Sequence, residues 1–136
     1  MMLIHVDHAE GLPVYDQIVR QVKFAVADGV LEPGDLVPSV RELARTLAIN
    51  PNTVARAYRC LQDDGVLEAV RGTGLIIAST SRKECQAERT RLIRARLRQV
   101  LAEAVRSGLS TDEVLTLVRR ELDALGRRRP NRGESA

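Results

Sequence analysis

Two helix-start signals with one short helix between them constrain this chain more than any other feature. Ser39-Val40-Arg41-Glu42 has the S-x-x-E spacing of a capping box. In that arrangement the serine hydroxyl accepts from the Glu42 amide and the glutamate carboxylate accepts from the Ser39 amide. Asn50-Pro51 is the second start. Asparagine caps exposed first-turn N–H groups, and proline suits the first helical position because its missing N–H would have no partner there. The first helix has Leu43, Ala44 and Leu47 as its apolar stripe and ends near Ala48. The second has Val54, Ala57, Tyr58 and Leu61 at i, i+3, i+4 and i+7 and stops at Gly65. A link of only Ala48-Ile49-Asn50 suits two steeply crossing helices.

The flanking segments complete a small domain. A helix is expected from Pro13 to Asp28, with Tyr15, Ile18, Val22, Ala25 and Val26 at helical spacing and Gly29 just past its end. Glu32-Pro33-Gly34-Asp35 is turn chemistry. Val66–Val70 and Leu75–Ala78 read as two short strands joined by Arg71-Gly72-Thr73-Gly74, a hairpin. Met2–Val6 is short and apolar and reads as an edge strand. The expected fold is therefore mainly α with a small β wing, a winged helix-turn-helix over residues 1–78.

Residues 79–88 read as a polar linker, and a long helix is expected from about Ala87 to Ser107, broken by Gly108. Ser110 and Glu113 form a second capping box, opening a helix that runs to about Leu125 and ends at Gly126. Residues 127–136, with Arg127, Arg128, Arg129 and Arg132, read as a disordered basic tail. The apolar faces are Leu92, Ile93, Leu97, Val100, Leu101 and Val105 on one helix and Val114, Leu115, Val118 and Leu122 on the next. Two isolated helices are marginal alone. They either fold back as intrachain core or pack against a second copy, and the second reading, a homodimerisation segment over residues 79–126, is favoured.

Charge divides the 136 residues the same way. Residues 1–78 carry 7 basic and 10 acidic side chains, and residues 79–136 carry 14 and 8. The acidic first block still has a basic centre: Arg41, Arg45, Arg56 and Arg59 against Glu42 make residues 41–59 net +3. Arg89, Arg91, Arg94, Arg96 and Arg98 have two readings: ion pairs with Asp28, Glu32, Asp63 and Asp64, or contacts to nucleic-acid phosphates.

Several function classes are excluded. Aromatics are only Tyr15, Phe24 and Tyr58, too few for stacking platforms on single strands. Cys60 and Cys85 make no disulfide framework and lack metal spacing. Cys60 reads as a small apolar core residue; Cys85, in the linker, has no resolving partner for a redox switch. His5 and His8 lack the further ligands zinc needs. There is no nucleophile–base pair or nucleotide-binding glycine loop, so neither an enzyme nor a cofactor is expected. No apolar run reaches the ~20 residues of a membrane span, and the first ten residues lack a basic region followed by an apolar one, which points to the cytoplasm.

The outward face of the second helix suggests the function. With Val54, Ala57, Tyr58 and Leu61 inward, Asn52, Thr53, Ala55, Arg56 and Arg59 face out. Asparagine reads adenine bidentately, arginine reads guanine, and threonine touches a thymine methyl in a DNA major groove. Arg41 is placed to grip flanking phosphates, and an arginine on a glycine-rich hairpin tip fits a minor groove. The alternative is a protein-interaction module that uses the same surfaces without DNA readout.

Residues 31–44, Leu31-Glu32-Pro33-Gly34-Asp35-Leu36-Val37-Pro38-Ser39-Val40-Arg41-Glu42-Leu43-Ala44, resemble the PGDxLPSxRELA signature of the GntR family of bacterial transcription regulators. Asn50-Pro51-Asn52-Thr53-Val54-Ala55-Arg56-Ala57-Tyr58 resembles the NPNTVxRAY motif of its YtrA subfamily, and Leu12-Pro13-Val14-Tyr15-Asp16-Gln17-Ile18 the family's PIYxQI start. The resemblance covers residues 12–78. It implies a homodimeric repressor on a double-stranded inverted-repeat operator, controlling its own operon and often an ABC transporter. It also implies DNA contacts by Arg41, Asn52, Thr53, Arg56, Arg71, Gly72, Thr73 and Gly74; Asn50, which caps the same helix, and Arg59, on its outward face, are further candidates, Arg59 either touching a phosphate or standing as a solvated charge. Leu75-Ile76 stands where Thr-Phe is common, so a phosphate-touching hydroxyl is missing from the wing. Release by a small-molecule effector, through a hinge at residues 79–88, is a further expectation.

Overall fold

The computed structural model describes residues 4–9, 11–79 and 82–128. It contains α1 (Val14–Ala27), α2 (Val40–Leu47), α3 (Pro51–Asp63), β1 (Leu67–Val70), β2 (Gly74–Ile77), α4 (Arg82–Arg106) and α5 (Thr111–Arg128). The chain divides into two compact units, residues 1–92 and 93–136.

In the first unit α3 is the centre, packing against both α1 and α2 and meeting β1. Ile18 and Val22 of α1 and Val54, Ala57, Tyr58 and Leu61 of α3 are all buried, with Leu43 and Ala44 from α2 and Leu67 and Ile77 from the hairpin. The i, i+3, i+4, i+7 stripe of α3 is thus its buried face, leaving the opposite face to solvent. Both start signals act as the sequence suggests. The Glu42 N–H donates to the Ser39 hydroxyl (3.1 Å) and the Ser39 N–H to the Glu42 carboxylate (3.1 Å). The Asn52 N–H donates to the Asn50 side-chain oxygen at 2.8 Å.

The hairpin pairs Leu67 with Ile77 and Val70 with Gly74 in antiparallel register. Gly72 has φ +80°, which its tight tip requires. Residues read only as a turn do more than turn: Gly34 N–H donates to Ile77 O (2.8 Å), Ile77 N–H to Asp35 O (2.8 Å) and Val37 N–H to Leu75 O (3.0 Å). Leu36 bridges to Ile76. The loop before α2 therefore occupies the free edge of β2 and ties the wing to the start of α2.

Four expectations need correction. First, residues 4–6 form no strand. His5 and Asp7, alternate residues, exchange backbone hydrogen bonds with the side-chain amides of Gln21 and Gln17. Two glutamines one helical turn apart on α1 replace a strand as hydrogen-bond partner.

Second, the expected linker is helical from residue 82, and residues 82–92 belong to the first unit. Cys85 is buried in that unit's core. Arg82 Nε (3.1 Å) and Gln86 Nε2 (3.0 Å) donate to the Ala27 carbonyl, one of the free carbonyls at the end of α1. A Cβ on Gly29, which has φ +80°, would lie 2.8 Å from the Arg82 guanidinium. The polar composition hides a helix because two of its polar side chains, Arg82 and Gln86, cap α1.

Third, β1 starts one residue later than expected, at Leu67, and β2 is shifted one residue toward the N-terminus, running from Gly74 to Ile77 in place of Leu75 to Ala78. Fourth, Gly126 does not end α5, which continues to Arg128. The rest of the expected tail, 129–136, lies outside the described residues.

In the second unit the chain leaves α4 through Gly108 (φ +88°). Its N–H donates to Val105 O, and Leu109 N–H donates to Ala104 O. Ser110 and Glu113 then form the second capping box, at 2.9 and 3.1 Å. The described residues include no helix long and apolar enough to cross a membrane.

Candidate nucleic-acid interface

The sharp turn between α2 and α3 comes from Ala48, held in the left-handed region at φ 54°, ψ 48°. Its N–H donates to Arg45 O and that of Ile49 to Ala44 O, closing α2. Ile49, half-buried, packs on the core and anchors the turn. The Tyr58 hydroxyl donates to Pro38 O at 2.7 Å, fixing α3 against the approach to α2. Burial, and to a lesser extent the Glu42 carboxylate, push its phenol above the usual range, so it stays a donor.

These constraints aim one set of side chains outward. Asn52, Arg56 and Arg59 are exposed, while Thr53 and Ala55 are half-buried at the margin of the face. Arg41 is exposed in the first turn of α2, and Arg71, Gly72, Thr73 and Gly74 are exposed at the hairpin tip. Among the described residues no carboxylate lies within ion-pair distance of Arg41, Arg56, Arg59 or Arg71. Their charge is left to attract an anion. Asn50 is exposed, but its oxygen is committed to capping α3, which leaves only its NH2 group to donate outward.

Glu42 is the one acid in this basic stretch. Hydrogen bonds from the Ser39 backbone and side chain hold its carboxyl below the usual range, so it stays ionised in the cap. The cap confines that negative charge to the N-terminus of α2, where the helix dipole favours it.

Other sequence candidates separate from this face. Tyr58 is core. Cys60 is partly buried against the core, and burial pushes the Cys85 thiol up, away from reactive thiolate. Asp64, one expected partner of the arginine-rich segment, instead takes Lys23 at 2.7 Å. Lys23 also lies 3.5 Å from Glu88, which pairs with Arg91.

Sequence reasoning missed one residue at this face. The Arg56 guanidinium lies over the ring of Tyr15, 3.8 Å from its centroid. Tyr15 is the N-terminal member of the α1 stripe, and no periodicity says which α3 side chain it meets.

The model of bacterial regulatory proteins of the gntR family matches residues 14–77. The chain is 34% identical over 112 residues to the HTH-type transcriptional repressor YtrA of Bacillus subtilis, covering 82% of this chain and 86% of that protein. A GntR family transcriptional regulator from Listeria monocytogenes has a similar structure, with 30% identity, a TM-score of 0.64, and coverage of 82% of this chain and 96% of that one. YtrA from Sulfolobus acidocaldarius, a GntR-family transcription factor, gives 32% identity and a TM-score of 0.54 over 90% of this chain and 99% of that one. A winged helix-turn-helix with an exposed basic face, matched along most of its length to such regulators, is a DNA-binding transcription regulator, and the chain belongs to the GntR family, on its YtrA-like side.

Proposed function

We propose that the chain represses transcription by occupying an inverted-repeat operator as a homodimer. The observation that carries the DNA half of this reading is the set of exposed, unpaired arginines shared by α2, α3 and the wing. Arg41, Arg59 and the wing residues Arg71–Gly74 hold phosphates and the minor groove, while Asn52, Thr53 and Arg56 of α3 read bases in the major groove. The name of the Bacillus relative, a repressor, supports repression over activation.

The dimer half rests on the second unit. Ile93, Leu97, Val100 and Val105 of α4 and Leu115, Leu122 and Leu125 of α5 are exposed in the single chain. On α5, Leu115, Val118, Leu122 and Leu125 repeat at alternating steps of three and four residues, the spacing of a helix–helix seam. A second copy is the partner that covers such a face with closed symmetry. Each copy then presents one α3 to a half-site, the two about 34 Å apart. Control of its own operon and of an ABC transporter is part of the same reading, supported by the family resemblance.

Selection of bound sequences from random duplex DNA tests both halves together. The expected result is one palindromic site whose affinity falls steeply with salt as counterions are released. A pool with no sequence preference overturns the operator reading. A single unrepeated half-site overturns the dimer.

A further inference from the structure

We propose that Tyr15 is the positioning residue for Arg56: its ring holds the guanidinium plane so that the N–H edge is presented to one base pair. This rests on the reading of Arg56 as a base contact. The geometry is specific. Arg56 is exposed, yet its guanidinium is stacked 3.8 Å from the Tyr15 centroid. In the arrangement proposed, the ring covers a face of the guanidinium plane and the N–H edge stays free. Among the described residues that edge has neither a hydrogen-bond nor an ion-pair partner.

This combination is what bidentate reading of a guanine requires. The five N–H donors of arginine lie in one rigid plane, so fixing the plane fixes the direction of every donor. A free arginine samples many rotamers and loses that freedom on binding. Tyr15 removes part of the cost in advance, because it is itself fixed: it is half-buried and packs on the core that joins α1 to α3. An ion-pair partner would have positioned Arg56 equally well, but it would have consumed the donors. An aromatic face positions without competing.

The Tyr15 hydroxyl, with no partner among the described residues, is not needed for this action. Phenylalanine therefore serves in its place and leucine does not.

The test uses the full chain and the palindromic duplex found by selection, with every base pair of a half-site varied in turn. Arg56→Ala is expected to relax discrimination at one base-pair position by about 5- to 150-fold. Tyr15→Leu is expected to relax the same position by about two- to fivefold, with the other positions and the salt slope unchanged. Tyr15→Phe retains discrimination, and Tyr15→Leu adds nothing in an Arg56→Ala background. If Arg56→Ala changes no position, the base-reading assignment fails. If Arg56→Ala relaxes one position and Tyr15→Leu does not, that assignment stands and the positioning proposal fails. Equal losses for Tyr15→Phe and Tyr15→Leu overturn it in favour of a hydroxyl contact, and uniform loss at all positions overturns it in favour of a packing defect.

A measurement on the wild-type chain covers the case in which Tyr15→Leu does not fold. The Arg56 δ-CH2 proton resonances are expected upfield of their ordinary values through the Tyr15 ring current and remain so in Tyr15→Phe. Ordinary positions in the wild-type protein overturn the proposal.

Discussion

The Tyr58 hydroxyl donates to the Pro38 carbonyl at 2.7 Å, so the centre of the recognition helix is bonded to the residue just before the cap of α2. The rest of the Tyr58 side chain is buried. One residue thus supplies core volume and sets the crossing of α2 and α3.

Tyr58→Phe keeps the volume and leaves a half-buried carbonyl without this donor. It is expected to cost about 1 kcal/mol in denaturant unfolding. Because the phenol is held above its ordinary 10.0, the folded chain keeps the proton more tightly than the unfolded one. The contribution of Tyr58 is whole below about pH 10 and is lost as the pH rises further. Wild type is therefore expected to lose stability relative to Tyr58→Phe above that point; a gap that stays constant into alkaline solution contradicts this.

Lys23 is buried, with its side chain 9% exposed, whereas its partner Asp64 is half-exposed. The asymmetry decides which substitution hurts. Lys23→Met leaves carboxylates that water can reach and is expected to change stability by less than about 1 kcal/mol. Asp64→Asn together with Glu88→Gln strands a buried ammonium and is expected to cost about 3–5 kcal/mol. Equal losses for the two variants in urea melts would show that the pairing, and not the burial of the lysine, dominates.

Ala48 is the one non-glycine residue with positive φ among those described, at 54°. A left-handed conformation costs a residue with a Cβ about 1–2 kcal/mol, more than the entropy that glycine loses on folding. Ala48→Gly is expected to raise the melting temperature by a few degrees with operator affinity unchanged. A lowered melting point would mean that the alanine methyl packs more usefully than its exposure implies.

Leu122, 62% exposed in the single chain, belongs to the face assigned to a second copy. Leu122→Asp is expected to leave the first unit folded and to shift sedimentation from dimer toward monomer. Binding of the palindrome should fall by at least about tenfold while binding of an isolated half-site is retained, because linking two modules raises avidity by orders of magnitude. Unchanged sedimentation at micromolar concentration contradicts the assignment of this face.

Much of the fold was legible in local signals. The two capping boxes, the Asn50-Pro51 start and the α3 stripe each act within one helical turn, so spacing alone places them. That Arg56 and Arg59 face outward followed from the same periodicity, since the buried stripe of α3 leaves them the other side. The segment at 82–88 is helical where its sequence suggests a linker, for the complementary reason. Its polar residues look like a linker until the distant Ala27 carbonyl and the α1–α3 core are placed beside them.

The sequence by itself determined where α2, α3 and α5 begin, which face of α1, α2 and α3 is buried, and which family the chain belongs to. Only the tertiary structure decided that the loop before α2 closes the wing's edge, that Cys85 is core, and that Tyr15 lies under Arg56. The physical reason is range. Capping and periodicity are set by residues three or four apart along the chain, whereas a stacked ring or a capped carbonyl depends on how helices cross, and the crossing is fixed by the packing of the whole core.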